Sequence, residues 1–156
     1  MLRFTQAKKY ELAISLLTFA TDLKKHSSLE IKYMLIINKA LAYYLTERQD
    51  ECEKILNSED WSACASIYKL AVAILRNEYD QAVSIIKDGS TQLTNVEFGE
   101  WPLFTKFRET QLFKDTYKEV YNKEFTYSEI RVMDFEDVLS EALNIQKELN
   151  PQKCTE

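Results

Sequence analysis

Glycine and proline are almost absent from this 156-residue chain, with two of each. Average usage would supply roughly ten Gly and about eight Pro. Open sheets and sandwiches need these residues at their many tight turns, so the shortage argues against a β-rich fold. Two glycines at 89 and 99 also cannot build a Gly-rich phosphate loop. Histidine is scarcer still. The one present, His26, follows two lysines and reads as a solvated residue favouring a helix dipole. With no second His and no clustered Cys, no zinc site can be drawn, and nothing around His26 is patterned for Ser-His-Asp catalysis. The three cysteines, Cys52, Cys64 and Cys154, lack C-x-x-C spacing and suit a reducing compartment; the first two fall in helical patterns where a small buried residue fits.

Positive charge is also in short supply. The formal net charge is −5, so no basic field exists to gather the phosphates of a nucleic acid. No run approaches the roughly twenty apolar residues of a membrane span, and Met1-Leu2-Arg3-Phe4 does not open a signal-peptide pattern. The carboxylates Asp115, Glu119, Glu136, Asp137 and Glu141 lie at helical spacings on polar faces and read as solvated surface. These absences predict a cytoplasmic, non-catalytic protein without cofactor or metal, binding neither nucleic acid nor membrane.

What is present is helical periodicity. Tyr10, Ala13, Ile14, Leu17 and Ala20 share one face of a helix over 8–24, with Leu16, Phe19 and Leu23 widening the stripe. Ser27-Ser28-Leu29-Glu30 has the form of a capping box that starts a second helix, running to about Thr46. A short helix over 49–57 follows, then one over 61–76 with Asp60 as its cap. A fifth over 79–87 stops at Gly89. Residues 88–100 read as a linker. Beyond it, Trp101, Phe104, Phe107, Phe113, Tyr117, Tyr121 and Phe125 crowd together, on short helices over 101–108 and 110–122. A last amphipathic helix is expected over 134–149, before a polar tail over 150–156. The predicted fold is therefore all-α.

Three segments align. Tyr10-Glu11-Leu12-Ala13 and Tyr79-Asp80-Gln81-Ala82 flank Gln49-Asp50-Glu51-Cys52, and Tyr10 to Tyr79 is 69 residues, two periods averaging about 34.5. Ala40, Tyr43 and Cys52 in one copy match Ala71, Ile74 and Ala82 in the next. Small residues at such positions let antiparallel helix backbones approach closely. This pattern resembles the tetratricopeptide repeat, a helix-turn-helix unit of about 34 residues. It departs from that family in having Ala for the usual Gly, no helix-ending Pro, and a third copy one residue short.

The resemblance covers residues 1–90 and implies an α-solenoid of antiparallel helix pairs, its first repeat incomplete. Residues 96–149 would then be capping helices, their aromatic rings closing the open end of the stack. It further implies a non-catalytic scaffold whose concave groove holds a peptide or protein segment. Carried over by alignment, the groove residues are Asn38, Leu41, Tyr44 and Leu45 from one copy and Lys69, Val72 and Arg76 from the next. Asn38 matches an asparagine that grips a peptide backbone or terminal carboxylate in chaperone-binding members, and Lys69 a basic residue there; Ala65 stands where a second lysine is expected. The incomplete first repeat leaves one face of the 8–24 helix uncovered. That suggests two alternatives: an accessory or regulatory domain at the C-terminal end of a longer enzyme or signalling protein, or a homodimer formed through that face.

Overall fold

The computed structural model describes residues 2–22 and 28–126, with the side chains of 9–20 and 28–126. Eight α-helices and one 3₁₀ turn, and no strand, are found among the described residues. The chain divides into two units, Met1–Phe125 and Thr126–Glu156, and these helices belong to the first. The expected helix over 134–149, the tail over 150–156, His26 and Cys154 lie outside the described residues.

Helix α1 (Leu2–Asp22) begins six residues before the sequence-based start at 8, because residues 2–7 contain no helix breaker. Ile14 is buried, while Tyr10, Ala13, Leu17 and Ala20 are half-buried against α2 (Leu29–Leu45). Leu16 and Phe19, expected to widen that buried stripe, face solvent instead. Helix α2 is capped by Ser28, whose Oγ accepts from Ile31 N at 3.2 Å. The capping box read from Ser27 to Glu30 is thus displaced by one residue. Ile31 stands three after the cap, and it has no side-chain acceptor to complete the box.

The next four helices form two hairpins, α2 with α3 (Gln49–Leu56) and α4 (Ser66–Leu75) with α5 (Tyr79–Lys87); α2 also packs beside α4. Both hairpins turn in the same way. Glu47 and Asn77 take left-handed φ values of 61° and 59°, and the next amide donates to the carbonyl five back. These bonds are Arg48 N to Tyr43 O at 2.9 Å and Glu78 N to Ala73 O at 2.8 Å, a spacing of 30 residues from one turn to the next. Neither turn uses Gly. Asn tolerates the left-handed region better than most residues, and its side chain finds work here. Asn77 Oδ1 accepts from the Tyr44 and Tyr79 hydroxyls at 3.3 and 3.2 Å.

The small residues that the repeat alignment picked out, Ala40, Cys52, Ala71 and Ala82, are fully buried in the core. Burial pushes the Cys52 thiol up to about 12, with the neighbouring Glu53 charge adding to the effect. Its ordinary value is 9.0, so above that pH the unfolded chain releases a proton that the folded chain keeps. The contribution of Cys52 is therefore intact below about pH 9 and lost as pH rises toward 12. The loss is about 1.4 kcal/mol per pH unit. Urea titrations at stepped alkaline pH should show this slope, and Cys52→Ala should remove one thiol's share of it. Alanine already occupies the matching place in the next hairpin, so the variant is expected to fold.

Helix α5 ends as the sequence predicts, with Gly89 just beyond it at φ 72°. The stretch read as a linker contains a further helix, α6 (Asn95–Glu100). It is set by a complete capping box: Thr94 Oγ1 accepts from Glu97 N, and Glu97 Oε2 accepts from Thr94 N at 2.7 Å. The 101–108 helix is split into a 3₁₀ turn (Pro102–Phe104) and α7 (Thr105–Arg108). Helix α8 (Gln111–Tyr121) starts at its cap Thr110 and packs on α5.

Rings from α6 to α8 form one cluster centred on Phe98. It meets Phe104 at 4.9 Å, Phe113 at 5.4 Å and Tyr117 at 5.8 Å, all edge-on. Phe107 joins the cluster to α5 through Tyr79, 5.0 Å away. Two tyrosines, Tyr117 buried and Tyr121 half-buried, are anchored by Tyr117 Oη donating to Asn95 Oδ1 and Tyr121 Oη donating to Leu93 O, at 2.9 and 2.8 Å.

Candidate functional site

Lys69 and Val72 of α4 and its C-cap residue Arg76 recur at intervals of three and four, so they stand above one another along one face of the helix. Facing them is the connection from α3 to α4, and between the two lies a cleft of about 460 Å³. Glu59, Asp60, Trp61 and Ser62 supply its other wall, and Gln81 of α5 also lines it.

The connection is held in place by its own side chains. The Trp61 indole donates to Leu56 O at 2.7 Å, and its ring packs 5.0 Å from Tyr33 of α2, so it is nearly buried. Asp60 Oδ1 accepts from Ser62 N at 2.9 Å. That backbone bond, with help from the Ser62 hydroxyl, holds the Asp60 carboxyl below its usual range, so it is ionised at neutral pH. Asp60 closes a turn instead of capping a helix at 61. Helix α4 accordingly starts at Ser66, five residues later than the sequence pattern predicts, because Trp61 must reach back to α3.

The charges in the cleft are unequal in their freedom. Arg76 is clamped: Nε donates to Glu53 Oε2 at 3.3 Å and Nη2 to Asn57 Oδ1 at 2.6 Å. Glu59 is taken by Lys32 at 2.6 Å. Lys69 is half-buried and forms no ion pair among the described residues. The cleft therefore offers one available ammonium above an apolar floor of Val72 and Trp61, with a fixed guanidinium about two helical turns further on and the turn-bound Asp60 carboxylate on the opposite wall.

Three of the seven residues carried over from the alignment, Lys69, Val72 and Arg76, line this cleft, and the four from α2 do not. Leu41 and Tyr44 are buried in the core, Tyr44 at 1% exposure. Its hydroxyl lies 3.2 Å from that of Tyr79, and burial together with that contact raises its pKa. Leu45 packs partly buried against the core, and Asn38 is half-buried on α2. The lining residues that periodicity does not reveal are Glu59 to Ser62. Asp60-Trp61-Ser62 does carry the local signal of an Asx turn, an acid whose side chain bonds the backbone two residues on.

No helix among the described residues is long and apolar enough to cross a membrane, and none of their His, Cys, Asp and Glu side chains gather in threes to hold a metal ion. No protein-family model, curated protein or solved structure matches this chain.

Proposed function

We propose that the chain is a non-catalytic interaction scaffold, a divergent tetratricopeptide-like repeat protein that holds an extended peptide in the cleft on α4. The observation that carries this reading is the alignment of Lys69, Val72 and Arg76 along one cleft wall, with the Lys69 ammonium unpaired among the described residues. An extended segment laid there would contact Val72 and Trp61 with an apolar side chain and present an acceptor to Lys69. The 30-residue spacing of the two hairpin turns is shorter than the family's period of about 34. The reading therefore rests on the cleft's own chemistry more than on the alignment.

Peptides selected from a random display library on the immobilised chain test it. Charge reversal by Lys69→Glu is expected to weaken the selected peptides about tenfold or more, equivalent to about 1.4 kcal/mol. Asn38→Ala reports whether the bound segment also reaches α2. Undiminished affinity in both variants would overturn the proposal.

One observation favours a second reading, that of an accessory domain seated on another helical surface. Leu12, Leu16 and Phe19 form an apolar stripe on α1 at exposures of 61%, 60% and 68%. Apolar side chains aligned in this way on one helix face mark an interaction surface more often than isolated ones do.

A further inference from the structure

A second cleft, of about 400 Å³, opens where the start of α4 meets the end of α6. Ile67, Leu93 and Trp101 give it apolar walls, and Glu97 and Glu100 stand at its rim. Ile67 and Lys69 are two residues apart on α4, about 200° around the helix, so this cleft and the one lined by Lys69 face opposite ways.

Trp101 keeps part of its ring within reach of solvent. Phe98, Phe104, Phe107, Phe113 and Tyr117 are buried in the cluster, whereas Trp101, like Tyr121 and Phe125, is half-buried. Its backbone is pinned at both sides, N donating to Glu97 O and O accepting from Phe104 N, each at 3.1 Å. Edge contact with Phe104, at 5.4 Å and 83°, fixes the plane of the ring. The indole N–H has no hydrogen-bond partner among the described residues, unlike that of Trp61. The two carboxylates lie three residues apart on α6 and so share a face. One oxygen of Glu97 is spent on the capping box. Neither carboxylate meets a cation among the described residues.

We propose that this cleft receives a lysine or arginine side chain of a basic peptide segment in a partner protein. A long basic side chain has an apolar stem and a cationic end, and the cleft offers matching surfaces in the same order. The stem lies along Ile67 and Leu93, the cation approaches the Trp101 ring, and its charge is met by Glu97 and Glu100. An acidic or purely apolar segment would leave both rim carboxylates unmatched. The site is separate from the Lys69 cleft, which carries the Lys69 ammonium, unpaired among the described residues, as well as the Asp60 carboxylate.

A capped peptide alternating alanine and lysine is the probe, with the same peptide carrying glutamate for lysine as its counterpart. The readout is the pair of indole N–H resonances in ¹H–¹⁵N spectra of the full chain. The lysine peptide is expected to move the Trp101 resonance saturably while leaving that of Trp61 in place, and the glutamate peptide to move neither. Glu97→Gln with Glu100→Gln should weaken the lysine peptide at least about fivefold; Gln at 97 keeps the capping box, so the fold is retained. Equal affinity in that double variant, equal binding of the two peptides, or shifts confined to Trp61 would each overturn the assignment.

Discussion

Replacing Phe98 with alanine is expected to lower the unfolding free energy by about 3–5 kcal/mol, read from urea denaturation of the variant beside the parent chain. Phe98 is fully buried and is the ring that the other rings of the cluster share: Phe104, Phe113, Tyr117 and Tyr121 all approach it within 6.0 Å. Its removal takes away both the transfer free energy of a large side chain and the edge contacts, and it leaves a cavity. That cavity cannot close easily. The neighbours are tied elsewhere, Tyr117 to Asn95 and Tyr121 to Leu93. Phe125 is the comparison, because it is half-buried at the margin of the same cluster, against Phe113 at 5.2 Å. Phe125→Ala should cost clearly less, on the order of 1–2 kcal/mol. Equal losses at the two positions would mean that the cluster has no centre.

The second large effect falls on Trp61, where stability and binding change together. Trp61→Ala is expected to cost about 3–5 kcal/mol and to abolish peptide capture in the Lys69 cleft. The ring is both the floor of that cleft and the peg that holds the 57–65 connection against α2 and α3. Trp61→Phe separates the two roles. It keeps much of the packing against Tyr33 but leaves the Leu56 carbonyl without its donor, a loss of about 1–3 kcal/mol. Thermal melts and peptide titrations on both variants give the four values needed. If Trp61→Ala bound peptide as the parent does, the ligand would be held elsewhere.

The fold was legible in the sequence wherever its cause is local. The period of apolar residues places α2, α3 and α5, and Gly89 marks the end of α5, because a single residue in the left-handed region suffices to stop a helix. Ala40, Cys52, Ala71 and Ala82 announce close helix contacts through size alone. Where a distant partner decides the outcome, the same reasoning gives the wrong boundary. Apolar residues continue from Trp61 into α4, so periodicity alone starts the helix there; the hydrogen bond to Leu56 shows why it starts at Ser66. The capping box at Thr94 and Glu97 was readable, but in a stretch rich in turn residues it was outweighed by the surrounding composition. Half of the candidate site follows the same division. Lys69, Val72 and Arg76 lie on a helix and obey its period, while Glu59 to Ser62 belong to an irregular segment whose shape comes from tertiary contacts.

The hairpin turns at Glu47 and Asn77 also bear on how the chain reaches its folded state. Each joins helices that are neighbours in sequence as well as in space, so most native contacts can form without first closing a long loop. Chains built from such local pairings fold quickly, and either hairpin can serve as the first to form. The two ends of the helical row then differ in hold. At one end α5 is locked beneath interleaved rings; at the other, α1 keeps only one of its described side chains, Ile14, buried. Reversible opening should therefore begin at α1 and travel inward, leaving the ring-covered end as the last part to come apart.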